Sequence, residues 1–278
     1  MKSPFVDEAV PFGIAHQGGT DVAPGNTEAA FQHAVSLGYR HIETDVQLTA
    51  DGVLVIFHDA EVTDLTGAPG TIGERTWLEV SELRIGGEHP VPRFTDIIER
   101  FPSVAFNVEP KTDAAVQPLI DLIDQRDLRS RICVGSFSDS RVGRVRQALG
   151  PEVCTSPGPK GVATVFLRAV LGSARPSPHT ALQIPTSVAG LPITGRWLVE
   201  RCQRQQLQVH VWTINDAPTM VRLLDNGVDA IMSDEVTTLK RVLSERGAWP
   251  QDEPAETGDG LPAASTDEDS GDAENRTD

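Results

Sequence analysis

Short apolar runs alternate along this chain with longer stretches in which apolar residues recur at helical spacing. Residues 11–16 (PFGIAH) read as a buried strand closed by Gly18-Gly19, and residues 29–38 as a helix begun near Asn26-Thr27 and ended by Gly38. Residues 40–46 form the next predicted strand, and Ala50-Asp51-Gly52 turns the chain into a further one at 53–57. The regular pattern loosens across 60–94, where glycine- and proline-rich pieces flank a short predicted helix at 74–83, so this stretch is expected to be an excursion over one rim. Alternation then resumes. Predicted strands lie at 104–109, 131–137, 152–156, 181–184, 208–214 and 230–233; predicted helices lie at 94–101, 112–126, 138–149, 161–171, 194–205, 217–226 and 235–246. With 53–57 taken as an extension of the second βα loop, eight strands alternate with helices, which argues an α/β fold, a (β/α)8 TIM barrel with a small insertion after its second strand.

A barrel of parallel strands delivers functional side chains to the C-terminal strand ends. His16, Glu43, Asp45 and Glu109 all fall there, and Ser136-Phe137, Trp212-Thr213 and Ser233-Asp234 occupy the equivalent ends of later strands. Glu43 and Asp45 are two residues apart and share a strand face. Two carboxylates so placed repel by roughly 4 kcal/mol at about 4 Å and an effective dielectric of about 20, so a cation between them is favoured. Glu43, Asp45 and Glu109 are therefore the candidate metal ligands, and hard oxygen donors without cysteine select a divalent cation, Mg2+ or Ca2+. The plainer alternative pairs Glu43 and Asp45 with Arg40 or Arg93 on a solvated face. His16 and His58, each just past a strand end, are the candidate acid and base, since histidine titrates near neutrality. His33 and His41 are expected away from the rim and His89 and His179 in solvent, while His210 alternates with Trp212 in a strand.

Four segments in series, His16-Gln17-Gly18, Pro24-Gly25-Asn26-Thr27 with Ala30-Phe31, Ile42-Glu43-Thr44-Asp45-Val46 with Thr49-Ala50-Asp51-Gly52, and Val55 with His58-Asp59, resemble the motifs of the glycerophosphodiester phosphodiesterase family. The resemblance extends from Phe12 to about Arg246 and is least distinctive between Pro157 and Pro178. It implies a metal-dependent hydrolysis of a small-molecule glycerophosphodiester to sn-glycerol 3-phosphate and an alcohol. In such a reaction the two histidines exchange protons while the glycerol 2-hydroxyl attacks phosphorus and water opens the cyclic phosphate. It also implies a phosphate contact for Lys111 and a wall for the alcohol at Trp212. Two positions depart from the family pattern. Gln17 stands where an arginine is usual, exchanging a bidentate phosphate clamp for neutral hydrogen bonds, and Gly25 stands where a glutamate is usual. Two other readings follow: a lysophospholipase D or sphingolipid-type phosphodiesterase on the same barrel, for which the apolar run Val162 to Leu167 is the candidate groove, and a barrel that binds phosphodiesters without turnover.

Composition narrows the partners. Of a net charge of −16 over 278 residues, the stretch 251–278 contributes ten Asp or Glu and one Arg, which predicts a disordered acidic tail over 248–278 behind a catalytic domain at 11–247 and a short extension at 1–10. No basic stripe offsets the acidity, so nucleic acid is excluded as a partner. No apolar run spans a bilayer, so stable membrane insertion is not expected, and residues 1–8 lack the apolar segment of a signal peptide, which points to the cytoplasm. The oligomeric state is left open. Cys133, Cys154 and Cys202 have no paired spacing and read as buried thiols.

Overall fold

Gly13 sits where the first strand meets the last helix: a Cβ there would lie 3.0 Å from the Tyr39 ring and 3.2 Å from Leu239 and Leu243. That close approach seats the helix Val236–Glu245 on the strand, and Tyr39 adds a hydrogen bond from its hydroxyl to the Val236 carbonyl at 2.7 Å. Helices alternate with strands around the molecule. In the computed structural model, which describes Phe5 and residues 11–250, eight strands carry the pattern: β1 (Phe12–His16), β2 (His41–Leu48), β3 (Ala105–Pro110), β4 (Ile132–Val134), β5 (Cys154–Thr155), β6 (Ala181–Ile184), β7 (Gln208–Val211) and β8 (Ala230–Ser233). Hydrogen-bonded neighbours run β5, β4, β3, β2, β1, β8, β7, β6, all parallel.

The seam between β5 and β6 is closed largely by hydroxyl groups. Thr180 N donates to the Thr155 carbonyl at 3.2 Å, Thr155 N donates to Thr180 Oγ1 at 3.3 Å, and Gln183 N donates to Ser156 Oγ at 3.0 Å. The eight strands thus form a nearly closed (β/α)8 barrel with helices between them. Several helices start on a side-chain cap: Thr27, Thr112, Ser138 and Asp216 each accept from a backbone N–H in the first turn.

Apolar packing divides by strand parity. Residues of one parity, such as Ala15, Ile42, Val46 and Val108, pack outward against the helices in the main core. The alternate set, including Phe12, Ile14, Cys133, Cys154, Ala230 and Met232, fills the barrel interior with Phe5 beneath it. All three cysteines are free and buried. The excursion has a small core of its own around Val55, Phe57, Ile72, Val80 and Val91. Residues Leu54–Ile56 pair antiparallel with β2, as expected of a loop extension. In place of one helix at 74–83 there is a 3-10 turn (Ile72–Glu74) followed by a helix (Trp77–Ser81), because Thr76 and Glu79 form a capping box that restarts the chain. His179 also differs from expectation: it is half-buried, with Nδ1 3.1 Å from Thr155 Oγ1 at the seam.

Ala248 and Trp249 pack on the barrel, Trp249 edge-on to Tyr39 at 4.8 Å, so the packed body runs just past the domain end expected at 247. Of the acidic tail expected over 248–278, residues 251–278 lie outside the described residues, as does the N-terminal extension expected over 1–10, Phe5 apart. Among the described residues no helix is long and apolar enough to cross a membrane.

Candidate active site

The strand pleat aims every second side chain of β1, β2 and β3 into the barrel, and at the C-terminal ends those side chains are His16, Glu43, Asp45 and Glu109. His16 pairs with Glu43 across β1 and β2, and Asp45 with Glu109 across β2 and β3. All four line one cavity of about 830 Å3 at that end, together with Lys111 and Trp212, while His58 joins them from the excursion. His58 is delivered by the antiparallel return strand. Gln47 fixes its loop by donating from Nε2 to the carbonyls of Phe57 at 3.2 Å and Asp59 at 2.6 Å, and the His58 ring meets Asp59 Oδ1 at 2.7 Å.

His16 is held from both sides. Its Nδ1–H donates to Asp234 Oδ1 at 2.6 Å, and its Nε2 lies 3.6 Å from Glu43 Oε2. Asn215 secures Asp234 in turn, donating from Nδ2 to Oδ2 at 2.8 Å and accepting the Asp234 N–H on Oδ1 at 3.0 Å. Burial alone would lower the His16 pKa, but the Glu43 charge, the Asp234 hydrogen bond and charge and the more distant Asp45 outweigh it and raise the pKa to about 9. Burial likewise acts to raise Asp234, yet its hydrogen bonds from His16 and Asn215 bring the carboxyl below its usual value.

The carboxylates are crowded and buried. Burial first, then the charge of Asp45, pushes Glu43 up to about 8 against the pull of His16 and the Gln17 N–H. That N–H donates to Glu43 Oε2 at 3.2 Å. Asp45 Oδ2 accepts from Gln17 Nε2 and from Asn26 Nδ2, each at 2.9 Å, and Thr44 holds Asn26 by donating to its Oδ1 at 2.7 Å. Lys111 Nζ spans Asp45 Oδ1 at 3.4 Å and Glu109 Oε2 at 3.3 Å. Burial would depress the lysine, but these two carboxylates raise its pKa. The three carboxylates expected to be metal ligands therefore share one site with their oxygens turned to protein partners. As they stand, no three His, Cys, Asp or Glu side chains among the described residues form a group that could hold a metal ion.

Gln17 does not line the cavity. It adopts a positive φ of 52° and spends its amide on Asp45, where a phosphate contact was expected. Gly25 is what allows this, since a Cβ there would come within 2.8 Å of Gln17 Oε1 and 2.9 Å of Gln17 Cβ. The two departures from the family motif are thus one packing adjustment. Trp212 lines the cavity, edge-on to Phe137 at 5.7 Å. Strand spacing alone did not single out Asp234, Asn26 or Asn215. The usable signal for Asp234 was its place just past the last strand.

The model of the Glycerophosphoryl diester phosphodiesterase family matches residues 16–238. The chain is 32% identical over 242 residues to the probable glycerophosphodiester phosphodiesterase 2 of Mycobacterium tuberculosis, covering 85% of this chain and 92% of that one. Its fold matches a putative glycerophosphoryl diester phosphodiesterase from Silicibacter pomeroyi with a TM-score of 0.73 at 23% identity, over 87% of this chain and 96% of that one. A phosphodiesterase from Oleispira antarctica, solved with the product sn-glycerol-3-phosphate, matches with a TM-score of 0.67 at 23% identity, over 84% and 97%. This chain belongs to the glycerophosphoryl diester phosphodiesterase family and is an enzyme of that class.

Proposed function

We propose that the chain hydrolyses glycerophosphodiesters to sn-glycerol 3-phosphate and an alcohol in this cavity, with His16 and His58 as the acid–base pair. The observation that carries the reading is the His16 ring, fixed between Asp234 and Glu43 at 2.6 and 3.6 Å on a cavity that His58 also lines. One imidazole takes the proton of the attacking glycerol 2-hydroxyl as its oxygen bonds phosphorus, and the other protonates the departing alkoxide. The resulting cyclic phosphate is opened by water with the two roles exchanged. Asp234 holds Nδ1 so that Nε2 is the edge turned to the reacting atoms. The product bound in the Oleispira antarctica structure is the one this route yields.

By donor chemistry a divalent cation, Mg2+ or Ca2+, suits Glu43 and Asp45, buried hard-oxygen groups whose mutual repulsion disfavours ionising both. Their oxygens would first have to turn from Gln17, Asn26 and Lys111 to converge on it. Glu43, Asp45 and Glu109 would hold it. Such an ion would supply positive charge that offsets the charge of the phosphate. Lys111, which bridges Asp45 and Glu109 in the structure, would be released from them by a bound cation and so be free to offer a second point charge to the phosphate. Gln17 acts on Asp45 and Glu43, keeping their oxygens in place.

A second reading, hydrolysis of lysophospholipids, is favoured by one observation. Away from the carboxylates the cavity wall is apolar, built by Val162, Phe166, Ile184, Leu191 and Trp212. The run Val162 to Leu167 belongs to the helix Pro159–Val170, whose Val162 and Phe166 face that wall.

The test is product analysis by mass after incubation with glycerophosphocholine, glycerophosphoethanolamine and lysophosphatidylcholine, each with Mg2+, Ca2+ or chelator. Metal-dependent glycerol 3-phosphate from the water-soluble diesters, abolished by Glu43→Gln, is the expected result. Turnover of the lysolipid alone moves the assignment to the second reading. Turnover undiminished by chelator removes the metal role from the three carboxylates.

A further inference from the structure

The charge of the chain is unevenly distributed. Between Glu152 and Asp216 the sequence holds one acidic residue, Glu200, against Lys160 and five arginines at 168, 175, 196, 201 and 204, although the whole chain has 40 acidic and 24 basic residues. This basic segment also concentrates exposed apolar side chains. Leu167, Val170, Leu171, Val188, Leu191 and Trp197 are all more than half exposed, Leu171 by 75% and Leu191 by 70%.

These residues sit on three neighbouring elements: the helix Pro159–Val170 with Leu171 as its C-cap, the two-stranded hairpin Ser187–Val188 with Leu191–Pro192, and the helix Arg196–Gln203. Arg201 ties the two helices together. Its Nη1 donates to the Ala169 carbonyl at 2.9 Å while its guanidinium stacks over the Trp197 ring at 4.6 Å. The hairpin forms one lip of the cavity through Val188 and Leu191, and the first helix lines the cavity with Val162 and Phe166. Apolar side chains therefore line the cavity wall and its lip and stand exposed on the two helices outside, where the Arg201 guanidinium lies over the Trp197 ring. Solvent-exposed apolar groups gathered on neighbouring elements mark an interaction surface.

We propose that this face docks the protein reversibly on an anionic phospholipid surface, with the mouth of the catalytic cavity turned toward the lipid. The charge decides the occupant. The chain carries a net charge of −16, whereas this segment holds six basic residues against one acidic, so an orientation with this segment down is attractive to an anionic bilayer. Leucine, valine and tryptophan side chains then enter the headgroup boundary, while the arginine stems lie along the interface with their guanidinium groups at the phosphates. The site is distinct from the carboxylate centre, and docking requires no turnover. It gives the same catalytic cavity access to phosphodiester headgroups held in a membrane.

The experiment is flotation of the full chain with vesicles of phosphatidylcholine alone and of phosphatidylcholine with about a third phosphatidylglycerol. The protein is expected to float with the anionic vesicles only, to be released as salt rises from about 0.1 to about 0.5 M, and to show a blue-shifted tryptophan emission that Trp197→Phe removes. Leu171→Glu and the double variant Arg168→Glu/Arg175→Glu should each lower the partition coefficient by about tenfold or more. Both should hydrolyse glycerophosphocholine at the wild-type rate, which keeps a failure of docking apart from a failure of the catalytic reading. Equal flotation with neutral and anionic vesicles overturns the proposal, as does wild-type binding by both variants. So does a dimer, seen by analytical ultracentrifugation, that Leu171→Glu dissociates while no vesicle binds, since the face would then be covered by a second copy of the chain.

Discussion

The two ends of the barrel both enclose histidines on inward-facing positions, and they drive them in opposite directions. At the C-terminal end His16 lies among Glu43, Asp45 and Asp234 and is raised to about 9 despite its burial. At the other end His41 and His210 lie between Phe5 and Phe12, with ring centroids 4.6 to 6.3 Å away, and both are lowered to about 3. For His41 the cause is burial and then the Arg40 charge; for His210 it is burial and then His41 itself. Burial disfavours the charged imidazole in all three cases, so what separates the ends is whether carboxylates or aromatic rings surround it. The rim is built to hold and move charge, and the floor to exclude it.

The largest effect expected from breaking this contrast is at the rim. His16→Ala and Glu43→Gln should each reduce glycerol 3-phosphate release by about 10^2- to 10^4-fold, read as kcat at saturating substrate. Asp234→Asn keeps the shape of the pair but removes the charge that fixes the His16 tautomer. It should lower kcat by about 10- to 100-fold and bring the His16 pKa down, seen in an imidazole titration by NMR.

At the floor the expected effect is on stability. Unfolded, His41 and His210 take up protons near their ordinary 6.5, whereas folded they resist to about 3. The unfolded chain therefore binds more protons across that window. Stability is fully present above about pH 6.5 and falls with decreasing pH toward 3, by up to about 1.4 kcal/mol per pH unit for each histidine. Urea unfolding at a series of pH values checks the slope, and His210→Leu should flatten it.

The smallest effect sharpens the account of the rim. Gly25→Ala should disturb the Gln17–Asp45 hydrogen bond and cost a few-fold in kcat. In a Gln17→Ala background the same change should cost less, because the Oε1 contact at 2.8 Å is gone, and the comparison of the two pairs reads the coupling.

Two of the differences between expected and observed local structure lie beside the cavity. The strands expected at 131–137 and 208–214 stop at Val134 and Val211, because Ser136-Phe137 and Trp212-Thr213 leave the sheet to line the cavity. Their apolar character is that of a strand, but a cavity wall uses it. Gln17 illustrates the limit from the polar side. Its type and place suggested a phosphate contact, and only the packing of Gly25 beneath it shows the amide directed to Asp45.

By itself the sequence determined the alternation of eight strands with helices, and through the two-residue pleat the placement of His16, Glu43, Asp45 and Glu109 at one end. Those are properties of local periodicity, so a linear reading finds them. The tertiary structure alone decided that Asp234, 218 residues away, is the partner of His16, because closing the barrel sets the last strand beside the first. It also decided that His58 returns over the rim and that Arg201 joins the helix Arg196–Gln203 to the helix Pro159–Val170 beside the cavity. Contacts between distant segments depend on how strands register and helices dock, and spacing along the chain does not encode them.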